Sequence, residues 1–304
     1  MILRIIKKTP NIKFLNFKKF FFILSLTLAI LSLIFLFYRG LNYGIDFKGG
    51  VLVEIDFRKN ISMNSLRNLL EDNFSGDTSL QQLDGSGGNF LIRMELNENR
   101  KQENLINELK DSLAINFGEN LDYRRVEYVG PTVSKELLKS GAIAIIVAII
   151  AMLIYIWFRF ELPFAIGAVI ALMHDTILTV GMFSLTALEF NLSTVAAILL
   201  IIGYSMNDTV VVYDRVRENL KKYKKLQINL LLNKSINETL SRTINTTATT
   251  ILALLALYFF GGNIIKDFSF AMIWGILIGT YSSILVATPL LLYLKLDRKE
   301  KNEE

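Results

Sequence analysis

The sequence contains no cysteine and a single histidine among 304 residues. Without thiols there is no disulfide framework, no thiolate nucleophile and no thiolate metal site, and one imidazole does not build a His-based metal cluster. The stretch over residues 39–137 also lacks a nucleophile paired with a base, a glycine-rich phosphate loop and metal-ligand spacing. A binding or lever role is expected of it rather than catalysis, and neither an enzyme nor a bound cofactor or metal is expected of the chain.

Apolar sequence is what the chain has in abundance. Hydrophobic residues make up 52% of it and the formal net charge is +5, with a mean hydropathy of +0.41. These residues gather into runs long enough to cross a bilayer, over residues 20–38, 138–158, 163–185, 192–213, 242–260 and 268–294, which predicts six transmembrane helices. The first run follows a Lys-rich start, but it is too long for the apolar core of a signal peptide and no small-residue cleavage site follows, so a retained span is expected.

Charge sets the expected orientation. Six basic residues and no acid precede Phe20, and eight basic against three acidic residues lie between Asp214 and Arg242. With a basic tail over residues 295–304, the segments 1–19 and 214–241 then fall on one side, which the distribution of Lys and Arg makes cytoplasmic. Both termini are expected there, and residues 39–137 form a domain on the periplasmic or extracellular side.

That domain has a readable pattern. "VLVEIDF" (51–57) alternates like a half-buried strand, and residues 63–74 carry Leu66, Leu69, Leu70 and Phe74 at helical spacing behind a Ser62 cap. A short strand at 80–83, the turn "DGSGG" (84–88) and "FLIRMEL" (90–96) read as a hairpin, residues 103–117 as a second helix and "LDYRRVEYV" (121–129) as a last strand. The order βαββαβ is that of a ferredoxin-like α+β sandwich. Gly44, Asp46, Gly49 and Gly50 in "GIDFKGG", with Gly130 and Pro131 in "YVGPTVSKELLKSG", read as structural junctions between this domain and its flanking helices.

Polar residues inside the spans carry the functional reading. Asp208, in "IIGYSMNDTVVVYDR" (201–215), lies sixteen residues into the fourth span, roughly 24 Å at helical rise. An ionised Asp near mid-membrane costs about 2.5–3.5 kcal/mol, so it is expected to face a packed interior or a watery cavity and to have a partner. Arg242, at the start of the fifth span at a similar depth, is the expected partner, with Tyr204 and Asn207 flanking the carboxylate. Such a pair can poise Asp208 to gain and lose a proton, or it can be an interhelical salt bridge, and Arg242 can equally snorkel to the surface. His174 and Asp175 in the third span either extend a proton path or hold helices together. Gly275, Gly279 and Ser283, four residues apart, read as a helix-packing surface.

Taken together, "GIDFKGG", "VGPTVSKELLKSGAIA", "FRFELPFAIGAVIALMHD", "IIGYSMNDTVVVYDRVREN", "SRTINTTATT" and "GTYSSILVATPLLL", in that order over nearly the whole chain, resemble the SecF members of the SecD/SecF family in the RND superfamily. The resemblance implies a fold of six helices, half of an RND-type bundle, with a protruding periplasmic domain. It implies SecD, the SecYEG channel and the unfolded preprotein as partners, YajC as a further candidate, membrane lipid as the surroundings and no nucleic acid. It further implies export driven by the proton-motive force, with Asp208 and Arg242 in the proton pathway. Sodium stays open as the coupling ion, because a carboxylate with nearby hydroxyls and an amide supplies oxygen ligands. Half of a small-molecule exporter, or a passive scaffold, stand as the competing readings.

Overall fold

Apolar runs of this length cannot leave backbone N–H and C=O groups unpaired in lipid, and the chain meets that demand with helices. The computed structural model describes residues 9–74, 78–83, 88–95 and 102–294. In chain order, a 3-10 turn (Phe14–Phe17) leads into α1 (Lys18–Arg39), followed by the two-residue strand β1 (Asn42–Tyr43), the single turn α2 (Ile45–Lys48), β2 (Gly50–Asp56) and α3 (Met63–Asn73). Then come β3 (Thr78–Gln82), β4 (Asn89–Met94), α4 (Gln102–Phe117) and β5 (Asp122–Val129). The rest is α5 (Pro131–Arg159), α6 (Leu162–Thr186), β6 (Glu189–Phe190), α7 (Leu192–Lys222), α8 (Ile228–Phe260), α9 (Gly262–Ser282), a π turn (Ser283–Ala287) and α10 (Thr288–Leu290).

Among the described residues six helices are long and apolar enough to cross a membrane. They run beyond the apolar runs that predict them. The 31 residues of α7 and the 33 of α8 correspond to roughly 46–50 Å, well over a ~30 Å hydrocarbon core. Most of the segment expected as a loop, 214–241, is therefore helix, with the connection confined to residues 223–227. The sixth run is not uniform either. Pro289 has no N–H and its ring crowds the carbonyl one turn back, so the helix widens into a π turn before it. Two carbonyls of that turn are held by side chains: Thr288 Oγ1 donates to Ser283 C=O at 2.8 Å and the Tyr213 hydroxyl to Ala287 C=O at 3.1 Å.

The chain divides into two compact units. One comprises Tyr43–Ala142 with Phe190–Leu192. Its four-stranded antiparallel sheet has the order β3-β4-β2-β5. Alternation along β2 sends Val51, Val53 and Ile55 to one face, where they meet Phe90, Ile92 and Met94 of β4, Leu66 and Leu70 of α3, and Leu105, Leu109 and Leu113 of α4. Ser62 stands ahead of α3 but makes no side-chain capping bond, contrary to the expected cap. The hairpin turn expected at 84–88 lies, apart from Gly88, outside the described residues, as does the basic tail.

The other unit comprises Met1–Asn42, Ile143–Glu189 and Ser193–Glu304. Within it α6, α7 and α9 are more than half buried, whereas α1, α5 and α8 turn most of their apolar surface outward. Near the chain's start Asn237 of α8 accepts the Ile12 N–H at 2.9 Å and donates to the Ile12 C=O at 2.8 Å. Asn233 takes the Leu15 N–H at 3.1 Å.

Candidate functional site

Close approach of α9 to α7 builds the site. A Cβ on Gly275 would run into the side chain of Ile201, and one on Gly279 would lie 2.8 Å from Ser205 Cβ. Gly167 of α6 faces the Tyr213 hydroxyl in the same way. With small residues at these points the helices touch, and short hydroxyl side chains reach carboxylates across the gap.

Two buried carboxylates occupy this contact. Asp175 of α6 is 1% exposed. Its Oδ1 lies 2.9 Å from His174 Nδ1, and its Oδ2 accepts hydrogen bonds from Ser205 of α7 at 2.6 Å and Ser282 of α9 at 2.8 Å. Asp208 of α7, 2% exposed, is more thinly held: Thr280 Oγ1 of α9 donates to its Oδ2 at 3.3 Å, and Thr247 of α8 lies 2.9 Å from Thr280. Each hydroxyl has one proton, so the bonds run Thr247 to Thr280 to Asp208. Thr209 and Ser283 exchange a further hydroxyl contact at 2.8 Å.

The arrangement differs from the one expected around Asp208. Among the described residues Asp208 and Arg242 form neither a hydrogen bond nor an ion pair. Arg242 is exposed on α8. Asn207 is exposed as well, because one residue along a helix turns a side chain by about 100°. Tyr204 bonds Thr250 at 3.1 Å, tying α7 to α8. The sequence does not single out Thr280, Thr247, Ser205 and Ser282; Thr280 and Ser282 stand in a run of small hydroxyl residues in the sixth span that reads first as packing, Thr247 in the Thr-rich start of the fifth, and Ser205 in the fourth with no signal beyond its nearness to Asp208. Ser283, expected only to pack, also donates to Gly279 C=O at 2.8 Å.

The junction residues lie in the α+β unit. Asp46 Oδ2 accepts the Leu192 N–H at 2.9 Å and the Gly44 N–H donates to Phe190 C=O at 3.0 Å. Gly49 and Gly50 have φ of +78° and +131°, and a Cβ on Gly50 would strike the Met94 carbonyl. Gly130 precedes Pro131, which opens α5 at the position where a missing N–H costs nothing.

Comparison with known proteins bears on this whole length. The family model for the C-terminal part of the protein export membrane proteins SecD/SecF matches residues 109–297, and the SecD/SecF GG motif matches residues 34–61. The chain belongs to the SecD/SecF family. Among its SecD/SecF relatives, the protein translocase subunit SecF of Rickettsia rickettsii is 45% identical over 289 residues, covering 95% of this chain and 94% of the relative. That of Magnetococcus marinus is 44% identical over 295 residues, covering 96% and 94%. The crystal structure of SecDF from Thermus thermophilus superposes with a TM-score of 0.85 at 36% identity, over 93% of this chain and 38% of that one. A SecDF structure in a super-membrane-facing form gives 0.69 at 35% identity. The chain thus spans well under half the length of the SecDF chains it matches, and it is a multi-pass membrane protein of a protein-export family.

Proposed function

We propose that the chain is the subunit of a SecD/SecF complex that assists Sec-dependent protein translocation across the cytoplasmic membrane, coupling proton flow through its helices to movement of an outer domain that pulls or holds the preprotein. The partners are SecD, the SecYEG channel and unfolded preprotein, with YajC a further candidate. The coupling ion is the proton, with sodium the alternative, and the chain is not an enzyme. Both termini are cytoplasmic by the distribution of Lys and Arg. The α+β unit is ferredoxin-like and stands on the periplasmic side; its βαββαβ order and central β2 support the first half of that reading.

One observation carries the proposal: Asp208 is buried within a membrane-crossing helix yet, among the described residues, held by a single hydroxyl at 3.3 Å with no ion pair. A carboxylate that served only as an interhelical bridge would be committed to Arg242. This one is free to exchange a proton, and losing its charge weakens its hold on Thr280 and its attraction for Arg242. Asn207, His174 and Asp175 complete the polar set along the path. One charge crossing 100 mV supplies about 2.3 kcal/mol, enough to bias a two-state rearrangement by roughly fiftyfold. Inverted membrane vesicles carrying Asp208→Asn are expected to lose the phase of preprotein export that depends on the proton gradient while keeping the ATP-driven phase. Gradient-dependent export at the unaltered rate would reject the coupling role.

A further inference from the structure

His174 is the only histidine of the chain. It is 8% exposed, and its Nε2 is buried with no hydrogen-bond partner among the described residues. The other edge of the ring determines what that atom is. Asp175 faces Nδ1 at 2.9 Å and receives hydroxyl protons from Ser205 at 2.6 Å and Ser282 at 2.8 Å. Two hydroxyls donate to Asp175, and an ionised Asp175 only accepts, so beside it Nδ1 carries the hydrogen shared with Oδ1. In the neutral ring Nε2 is then a bare lone pair. A carboxylate that holds Nδ1–H and leaves Nε2 to take a proton is the device by which histidine serves as a base elsewhere.

We propose that His174 is a proton-accepting station within the helical bundle, separate from Asp208, with Nε2 the atom that takes the proton and Asp175 the positioning residue. The step adds one proton from water to the Nε2 lone pair and breaks no other bond. It takes the His174–Asp175 pair from one negative charge to none, which is the favourable direction in a poorly solvated interior. Ser205 and Ser282 fix Asp175 from α7 and α9, so the ring is oriented by three helices rather than by its own.

The surrounding groups leave Nε2 available. From α9, Tyr281 stacks beside the ring with centroids 6.2 Å apart, but its hydroxyl is occupied by the Phe21 carbonyl at 3.2 Å and Ser25 at 2.7 Å. On α7 the titratable groups flanking Ser205 are Tyr204, whose hydroxyl donates to Thr250 at 3.1 Å, and Asp208, one turn beyond. α1 packs on α6 and carries no charged residue between Phe20 and Tyr38. The inference rests on the coupling reading for its role in export, but the proton uptake itself is independent of that reading.

The full chain labelled with 15N-histidine, in lipid nanodiscs, gives a single imidazole to follow by NMR. Expected is the Nδ1–H tautomer of the neutral ring and uptake of one proton at Nε2 on acidification. Asp175→Asn is expected to mix the tautomers. An Nε2–H tautomer in the unaltered chain, or an Nε2 that takes no proton on acidification, overturns the proposal. His174→Asn keeps a donor toward Asp175 while deleting Nε2, and it is expected to lose gradient-dependent export; full retention would overturn the station's role. If Asp208→Asn exports normally while the ring titrates as expected, the coupling reading fails and the assignment of Nε2 stands.

Discussion

Ser205 of α7, one turn before Asp208, donates a 2.6 Å hydrogen bond to Asp175 of α6, so two of the three most buried membrane helices are joined through a carboxylate. Ser282 adds α9 to the same oxygen at 2.8 Å. Hydrogen bonds to a charged group contribute about 1.5–3 kcal/mol each. Asp175→Leu leaves His174 and Ser205 without their acceptor and Ser282 with the Gly279 carbonyl alone. It is expected to lower the melting temperature of the detergent-solubilised chain clearly more than Ser205→Ala or Ser282→Ala alone. Equal, small effects from all three would show that the cluster does not hold the helices.

Gly275 and Gly203 offer a matched pair. A methyl on Gly275 meets Ile201, whereas one on Gly203 meets nothing within 4 Å. Gly275→Ala should cost about 1–3 kcal/mol through overpacking, and Ile201→Ala should recover part of it. Gly203→Ala should be neutral or stabilising by about 0.5–1 kcal/mol, since alanine restricts the unfolded chain. Thermal unfolding of the three variants checks the contrast, and similar losses at both glycines would contradict the packing described.

Gly50 combines a φ of +131° with a carbonyl where its Cβ would go, while Gly40, at φ +71°, has open space. Gly50→Ala should destabilise the α+β unit by more than the ~1–3 kcal/mol of backbone strain alone, whereas Gly40→Ala, which lies in the other unit, should cost that unit the strain alone. Limited proteolysis of the full chain reads the difference as faster cleavage within residues 43–142 for the first variant. Indistinguishable cleavage would mean that the Gly50 contact with Met94 yields easily.

Asn237 clamps the Ile12 backbone through both its N–H and its C=O. Asn237→Ala should release both, a loss of about 1–2 kcal/mol, and speed hydrogen exchange at the Ile12 amide roughly tenfold. Exchange at unchanged rate would show that the segment is held by other contacts.

The α+β unit is nearly transparent in the sequence. Its strands and helices alternate with the right periods, and the six elements expected between residues 51 and 129 are observed with ends shifted by at most two residues, while the turn α2 reads in the sequence only as a junction. The membrane unit is legible only in outline. Six apolar runs are plain, but hydropathy stops where charges begin, so α7 and α8 run past their expected ends as charged but partly buried helix that the run-length rule does not detect. The π turn before Pro289 is likewise hidden inside an apolar stretch with no change of composition.

The amino-acid sequence by itself determined what is local: apolar runs that must pair their backbones as helices, an alternating α+β insertion between the first two, and an acid stranded inside the fourth span. Tertiary structure alone decided which groups meet. Depth along a helix can be counted from the sequence, and on that count Asp208 and Arg242 belong together. Partnership also needs the rotation of each helix about its own axis, which is set by where Gly275 and Gly279 let α9 press against α7. That contact brings Thr280 to Asp208 and Ser205 with Ser282 to Asp175, and it leaves Arg242 exposed on α8.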